Sequence, residues 1–199
     1  MSQNKTNINE NMACPYYYWH NEISHETCQR LICLGKENWK YATVGTNLEI
    51  DRSIRKSDVV WVHEQWVYDL IWPYMQDANK FGGWKYNISA AQELQLTRYA
   101  KGGFYKWHKD GTGSHREIYV GDNKFLHGNT RKLSMTIVLN DEYEGGDFQI
   151  RGDYNITKVP KLGRGSIIIF PSFMDHRVTP ITKGIRYSLI AWFVGPPFV

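Results

Sequence analysis

His108 and Asp110 stand two residues apart in FYKWHKDG, His176 lies in GSIIIFPSFMDHRV, and Arg186 follows it by ten residues. On a strand, residues i and i+2 project from one face, so His108 and Asp110 can reach a common point. Alone, that spacing also fits a polar strand end. His176 makes it chemical, because it opens a new strand just after an apolar run that ends at Pro171. Two imidazoles and one carboxylate form a facial triad suited to Fe(II), leaving three adjacent positions open for a cosubstrate and oxygen. Arg186 follows the turn Thr182-Lys183-Gly184, and a hairpin of that register sets it opposite about Pro180, roughly 13 Å from His176 at ~3.3 Å per residue. A guanidinium and a five-carbon dicarboxylate together span that distance, with the far carboxylate gripped in two hydrogen bonds while the near end chelates the metal. Lys183 is the alternative anchor, but it sits in the turn and lacks the planar fork. By alternation Ser188, Ile190 and Trp192 share the face of Arg186, and Tyr99, on the strand before His108, is placed to donate a hydrogen bond to the ligand.

The hydrophobic rhythm shows the elements that must hold these groups. From about residue 84 the sequence breaks into short β-type runs separated by glycine and polar turns: WKYNIS, ELQLTRYA, GFYKWHKD, RKLSMTIVLN, GGDFQIR, GSIIIFP, HRVTPI and IRYSLIAWFV. These eight runs predict a mainly β fold, a barrel or jelly roll. Glycines 145 and 146 read as a turn that needs positive φ. Residues 111–130 are long, polar and glycine-bearing, and are expected to be a mobile loop beside the site that shields the chemistry. Upstream, Ser24 caps a short helix, HETCQRLICLG, that closes on Gly35, and DVVWVH at 58–63 reads as a strand. Glu64 to about Lys80 carries Trp66, Val67, Leu70, Ile71, Tyr74 and Met75 at helical spacing, with Pro73 as its weak point. The aromatic segment Tyr16 to Trp19 and the helix around Trp66 are expected to pack on the outer sheet.

A length of 199 residues gives one domain, 1–199: a loose polar leader (1–12), a helical N-terminal support (13–83) and a β-barrel core (84–199). Hydrophobic residues at 42%, charged residues at 22% and 17 glycines exclude collagen-like, coiled-coil and wholly disordered classes. The net charge of +4 is spread without a dense basic run, so electrostatics nominates no nucleic acid as partner. No apolar run approaches the ~18–20 residues that cross a bilayer. Cys14, Cys28 and Cys33, an odd set with no apolar leader before it, read as reduced thiols in a cytoplasmic setting rather than as zinc ligands. His20, His25, His63, His115 and His127 have no comparable partners and read as surface or packed histidines.

Three segments in order resemble the 2-oxoglutarate- and Fe(II)-dependent oxygenases, especially the prolyl 4-hydroxylase-like group and its bacterial and phage PKHD-type hydroxylases. LTRYAKGGFYKWHKD looks like the family's Tyr-then-His-x-Asp segment, LSMTIVLNDEYEGGDFQI like its strand, turn and Gly-Gly-acidic-aromatic segment, and HRVTPITKGIR like its distal His, Val, Pro, Thr, Gly, Arg signature. The resemblance covers about residues 96–194. It implies a double-stranded β-helix of jelly-roll or cupin-like form with flanking N-terminal α-helices. It makes His108, Asp110 and His176 the iron ligands, Arg186 the anchor of the 2-oxoglutarate C5 carboxylate, Tyr99 a further cosubstrate contact and Trp192 an aromatic near the site. The cofactors it implies are Fe(II), 2-oxoglutarate and O2, with room for ascorbate, and the reaction is hydroxylation of a prolyl residue in a protein or peptide, with succinate and CO2 as coproducts. Three alternatives stay open: a free amino acid or other small molecule as substrate, a non-catalytic binding barrel, and a nucleic-acid demethylase, the last weakened by the modest charge, since base-reading enzymes usually carry a basic strand-binding groove.

Overall fold

The computed structural model describes residues 13–35, 37–45, 49–111, 118–152, 156–157 and 159–198. In chain order they form β1 (Tyr17–Trp19), α1 (His25–Cys33), β2 (Lys40–Tyr41), β3 (Arg55–Lys56), β4 (Asp58–Val62), α2 (Gln65–Phe81), β5 (Ala90–Ala91), β6 (Leu94–Tyr99) and β7 (Phe104–His108). There follow β8 (Thr130–Val138), β9 (Tyr143–Gly145), β10 (Phe148–Arg151), β11 (Ile156–Thr157), β12 (Ile167–Pro171), β13 (Asp175–Val178), β14 (Ile181–Gly184) and β15 (Arg186–Gly195). One sheet runs β1-β12-β8-β15-β6-β4-β2, with β5 also on β15; a second runs β11-β10-β13-β7-β3; β14 and β9 pair separately. Every pairing between these strands is antiparallel, in keeping with the expected double-stranded β-helix.

Strand alternation splits the large sheet into two chemistries. Leu94 and Leu96 of β6, Leu133, Met135 and Ile137 of β8, and Leu189, Ala191 and Phe193 of β15 pack with Cys28 and Leu31 of α1 and Val67, Ile71, Met75 and Ala78 of α2. Each Val, Leu, Ile, Met or Phe among these contributes about 1.5–3 kcal/mol by leaving water. The intervening residues, Gln95, Tyr99, Ser134, Thr136, Arg186, Ser188 and Trp192, are also buried but line a cavity on the other face. The helices thus hold the sheet by one face and leave the other free for polar groups.

The helices match their sequence signals with two differences. Ser24 caps α1 by accepting a hydrogen bond from the Thr27 amide. Gly35 is small for want of space: a Cβ there would lie 2.6 Å from the Trp39 ring and 2.7 Å from Leu96. Helix α2 runs through Pro73, which sits on the exposed face where a bend costs no core packing. Residues 13–83 supply β1 to β4 as well as helices, so this segment widens both sheets. WKYNIS is not a strand; only the following Ala90–Ala91 pairs, on the edge of β15. GGDFQIR divides at Gly145 and Gly146, which take φ of 75° and 68°, and HRVTPI divides at Thr179-Pro180; the chain crosses to another sheet at each break. The expected hairpin at 182–184 is absent: β14 pairs with β9, whereas β15 pairs with β6 and β8. The leader 1–12 lies outside the described residues, and no helix among those described is long and apolar enough to cross a membrane.

Candidate active site

Neighbouring strands β13 and β7 bring the two histidines together, with His176 directly opposite His108. Their rings are 4.1 Å apart between centroids. Strand β7 ends at His108, so Asp110 reaches the site from the bend beyond it, not from the strand as the i, i+2 spacing implied. Its amide donates to the Ser172 carbonyl at 3.0 Å, which fixes that bend. The ligand atoms of His108, Asp110 and His176 lie within 4.8 Å of one another. A bulge explains a neighbour that the spacing hides: Tyr105 to His108 on β7 faces only Val178 to His176 on β13. The extra residue turns Tyr105 to the same side as His108, and the two rings stack at 3.4 Å.

Hydrogen bonding sets the ring orientations in this cluster. His108 Nδ1 lies 2.8 Å from the Lys106 carbonyl and His176 Nδ1 3.0 Å from the Met174 carbonyl. A carbonyl only accepts, so both Nδ1 atoms carry a proton, and in a neutral ring so held Nε2 is the atom left with a lone pair for a metal. His176 Nε2 faces Asp110 Oδ2 at 3.6 Å, so the two ligand atoms point at a common position that suits a cation. Burial and the adjacent His176 push the His108 imidazole down to about 3, which favours its neutral, ligating form. Burial opposes ionisation of Asp110, yet the two histidines, Arg131 and the Ser134 hydroxyl together hold its carboxyl below the usual range. Ser134 donates to Asp110 Oδ2 at 2.6 Å and lies 2.9 Å from the Ser172 hydroxyl. Neither serine carried a sequence signal, since each is one polar residue in an apolar strand or its exit.

Arg186 sits across the same cavity, of about 770 Å³, on the large sheet opposite Tyr99. It is 1% exposed, and the Tyr99 ring lies 5.8 Å from its guanidinium carbon. Its Nη1 donates to Ser188 at 3.0 Å, its Nε has no partner, and no carboxylate among the described residues pairs with it. A buried cation left so costs several kcal/mol unless an anion joins it. The donor set and this guanidinium therefore fit a divalent metal and a carboxylate ligand. Trp192, six residues from Arg186, stands roughly 20 Å along β15 at ~3.3 Å per residue. It lies opposite Ser134, at the triad end, with Arg131 4.3 Å over its ring and its Nε1 buried without a partner. Lys183 is exposed and pairs with Glu144 at 3.0 Å, away from the cavity.

The segment 118–130 borders the cavity through Ile118, Tyr119 and Val120 and is tied to itself, with Tyr119 bonded to Asn129 and Gly128. Residues 112–117, and His115 with them, lie outside the described residues. The other histidines bond elsewhere: His25 to Arg164, His127 to the Gly121 carbonyl. His63 lies 3.9 Å from Glu93. All three cysteines are free of disulfides.

A profile of the 2OG-Fe(II) oxygenase superfamily matches residues 94–194, just over half of the chain. A PKHD-type hydroxylase of Acidovorax ebreus (strain TPSY) is 33% identical over 105 residues, 49% of this chain and 41% of that relative. The chain thus spans about two fifths of the length of this relative. Among solved structures, a Pseudomonas putida prolyl-4-hydroxylase superposes with a TM-score of 0.65 at 18% identity, over 90% of this chain and 92% of that one. A prolyl hydroxylase from Trichoplax adhaerens, in complex with a hypoxia inducible factor oxygen degradation domain peptide fragment, gives 0.65 at 14% identity over 90% and 83%. With the superfamily's segment spanning β6 to β15, and with a donor set and a buried guanidinium that suit Fe(II) and 2-oxoglutarate, the chain belongs to the 2OG-Fe(II) oxygenase superfamily.

Proposed function

We propose that the protein is a cytoplasmic Fe(II)- and 2-oxoglutarate-dependent hydroxylase that acts on prolyl residues in a protein or peptide and releases succinate and CO2. The observation that carries this reading is the pairing, in one cavity, of a His-Asp-His donor set with a buried arginine that lacks a counter-anion. His108 and His176 hold the metal through Nε2, with Nδ1–H fixed on backbone carbonyls, and Asp110 holds it through a carboxylate oriented by Ser134. Arg186 grips the distal carboxylate of the cosubstrate while Ser188 and Tyr99 shape the wall around it. When bound, the metal supplies the activation of oxygen coupled to decarboxylation of the 2-oxo acid. The chain's own part is to place the substrate carbon beside the metal and keep water out, which the apolar residues at 118–120 and the aromatic walls Phe148 and Phe170 serve.

The PKHD-type relative and the prolyl hydroxylase neighbours support the substrate class. Mass spectrometry of proline-containing peptides after incubation with Fe(II)-loaded protein, 2-oxoglutarate and air tests it. Addition of one oxygen to proline is the expected result. Oxygen added only to a free amino acid moves the substrate to small molecules. Binding of metal and cosubstrate with no oxygenated product from either class overturns the reading.

A further inference from the structure

Arg55 is a second buried arginine on the cavity wall, and the chemistry above does not use it. It lies on β3, the edge strand of the smaller sheet, opposite Tyr105, and is 8% exposed. Its Nε donates to Ser57 at 2.9 Å and its guanidinium carbon lies 4.7 Å from the Tyr105 ring centroid. No carboxylate among the described residues pairs with it. Its terminal nitrogens make no hydrogen bond among those residues, and Arg55 is one of the residues that line the cavity. The stack runs Arg55, Tyr105, His108, so the fork stands one aromatic ring beyond a candidate metal ligand. Arg186 occupies the other sheet. The two buried guanidinium groups thus stand on different sheets of one cavity.

The charge balance of the cavity makes the same point. Among the described residues that line it, Asp110 is the sole carboxylate, and it belongs to the donor set, whereas Arg55, Lys109, Arg131 and Arg186 all bring positive charge. A divalent metal with Asp110, and a dicarboxylate with Arg186, form a neutral unit. Arg55, Lys109 and Arg131 add positive charge beyond that unit, and of these three Arg55 is the buried one. A planar, always-charged fork in such a place is built for a carboxylate, which it meets with two parallel hydrogen bonds.

We propose that Arg55 binds a carboxylate of the substrate, so that the hydroxylated molecule carries an anionic group close to the carbon that is oxidised. The inference rests on the cavity being an oxygenase site. Two sources share this chemistry: an acidic side chain flanking the target residue in a peptide, or the α-carboxylate of a free amino acid.

The test uses the full chain loaded with Fe(II) and 2-oxoglutarate. One arm takes capped seven-residue peptides with a central proline and Glu, or isosteric Gln, at each of the two positions on either side. The other compares L-proline with L-prolinamide. Binding is read anaerobically by calorimetry, and succinate and oxygenated product are read in air. The wild-type protein is expected to favour the acidic member of one pair by about ten-fold or more. That preference should fall below about two-fold in Arg55→Gln, persist in part in Arg55→Lys, and pass to a Lys-containing peptide in Arg55→Glu. Anaerobic 2-oxoglutarate binding should stay unchanged in all three. A preference among the peptides names a flanking acidic residue, and one for proline over prolinamide names a free amino acid.

Equal handling of acidic and neutral members by the wild-type protein in both arms overturns the proposal without recourse to any variant. A preference that survives Arg55→Gln overturns it too. Acid-selective, Arg55-dependent binding with no oxygenated product would reject the hydroxylase reading and leave the role of Arg55 standing.

Discussion

At the scale of single residues, Ser134 is the most informative position in the site. It is buried on β8, and its hydroxyl holds the carboxylate oxygen of Asp110 that faces His176. Partners that orient a metal ligand typically carry a factor of 10–100 in affinity. Ser134→Ala is therefore expected to weaken Fe(II) binding about ten-fold or more while far-ultraviolet circular dichroism stays unchanged, and equal affinity in an anaerobic titration would contradict this. His108, Asp110, His176 and Arg186 were legible from the sequence because their residue types and order are chemically restrictive. Ser134, Ser172 and Arg55 were not. A serine inside an apolar run and an arginine in a short edge strand acquire their roles only from what folding sets opposite them.

Among the elements, bulges and sheet crossings decide the site as much as the strands do. The extra residue between Tyr105 and His108 brings the tyrosine ring onto the imidazole, which strict alternation would have sent to opposite faces. Seven of the eight expected runs hold strands, but their partners were not visible, since pairing joins residues as distant as Tyr99 and Arg186. The misread hairpin at Gly184 is the instructive case: local turn chemistry was present, yet β14 found β9 and β15 entered the large sheet. Gly146 links this geometry to ligand binding. It has φ of 68°, and a Cβ there would meet the Ile181 side chain and approach within 3.1 Å of the Arg186 stem. Gly146→Ala is expected to cost roughly 1–2 kcal/mol of stability from the left-handed conformation. It should also raise the 2-oxoglutarate KM by displacing the guanidinium. Urea unfolding and steady-state kinetics read the two effects separately, and an unchanged KM would show that Arg186 tolerates the shift.

For the whole molecule, the two faces of the large sheet divide the labour between an apolar layer under α1 and α2 and a polar cavity closed by the smaller sheet. The polar face carries uncompensated positive charge, so ligands should stabilise the fold as well as react in it. Saturation at about 100 times Kd adds about 2.7 kcal/mol. For a chain of this size that is a rise in Tm of about 5–10 °C. Fe(II) with 2-oxoglutarate under anaerobic conditions is expected to give such a rise, chelation to reverse it, and His108→Ala to abolish the metal's share. No shift in the wild-type protein would mean that the cavity binds neither group.

The most direct measurement is oxygen-dependent conversion of 2-oxoglutarate to succinate by the Fe(II)-loaded protein, beside His108→Ala and Arg186→Ala. Loss of turnover in His108→Ala, and a rise of about 100-fold in 2-oxoglutarate KM in Arg186→Ala, equivalent to about 2.7 kcal/mol of lost charge-assisted hydrogen bonding, are the expected results. Turnover that survives His108→Ala, or an unchanged KM in Arg186→Ala, would contradict the assignment of metal and cosubstrate to this cavity.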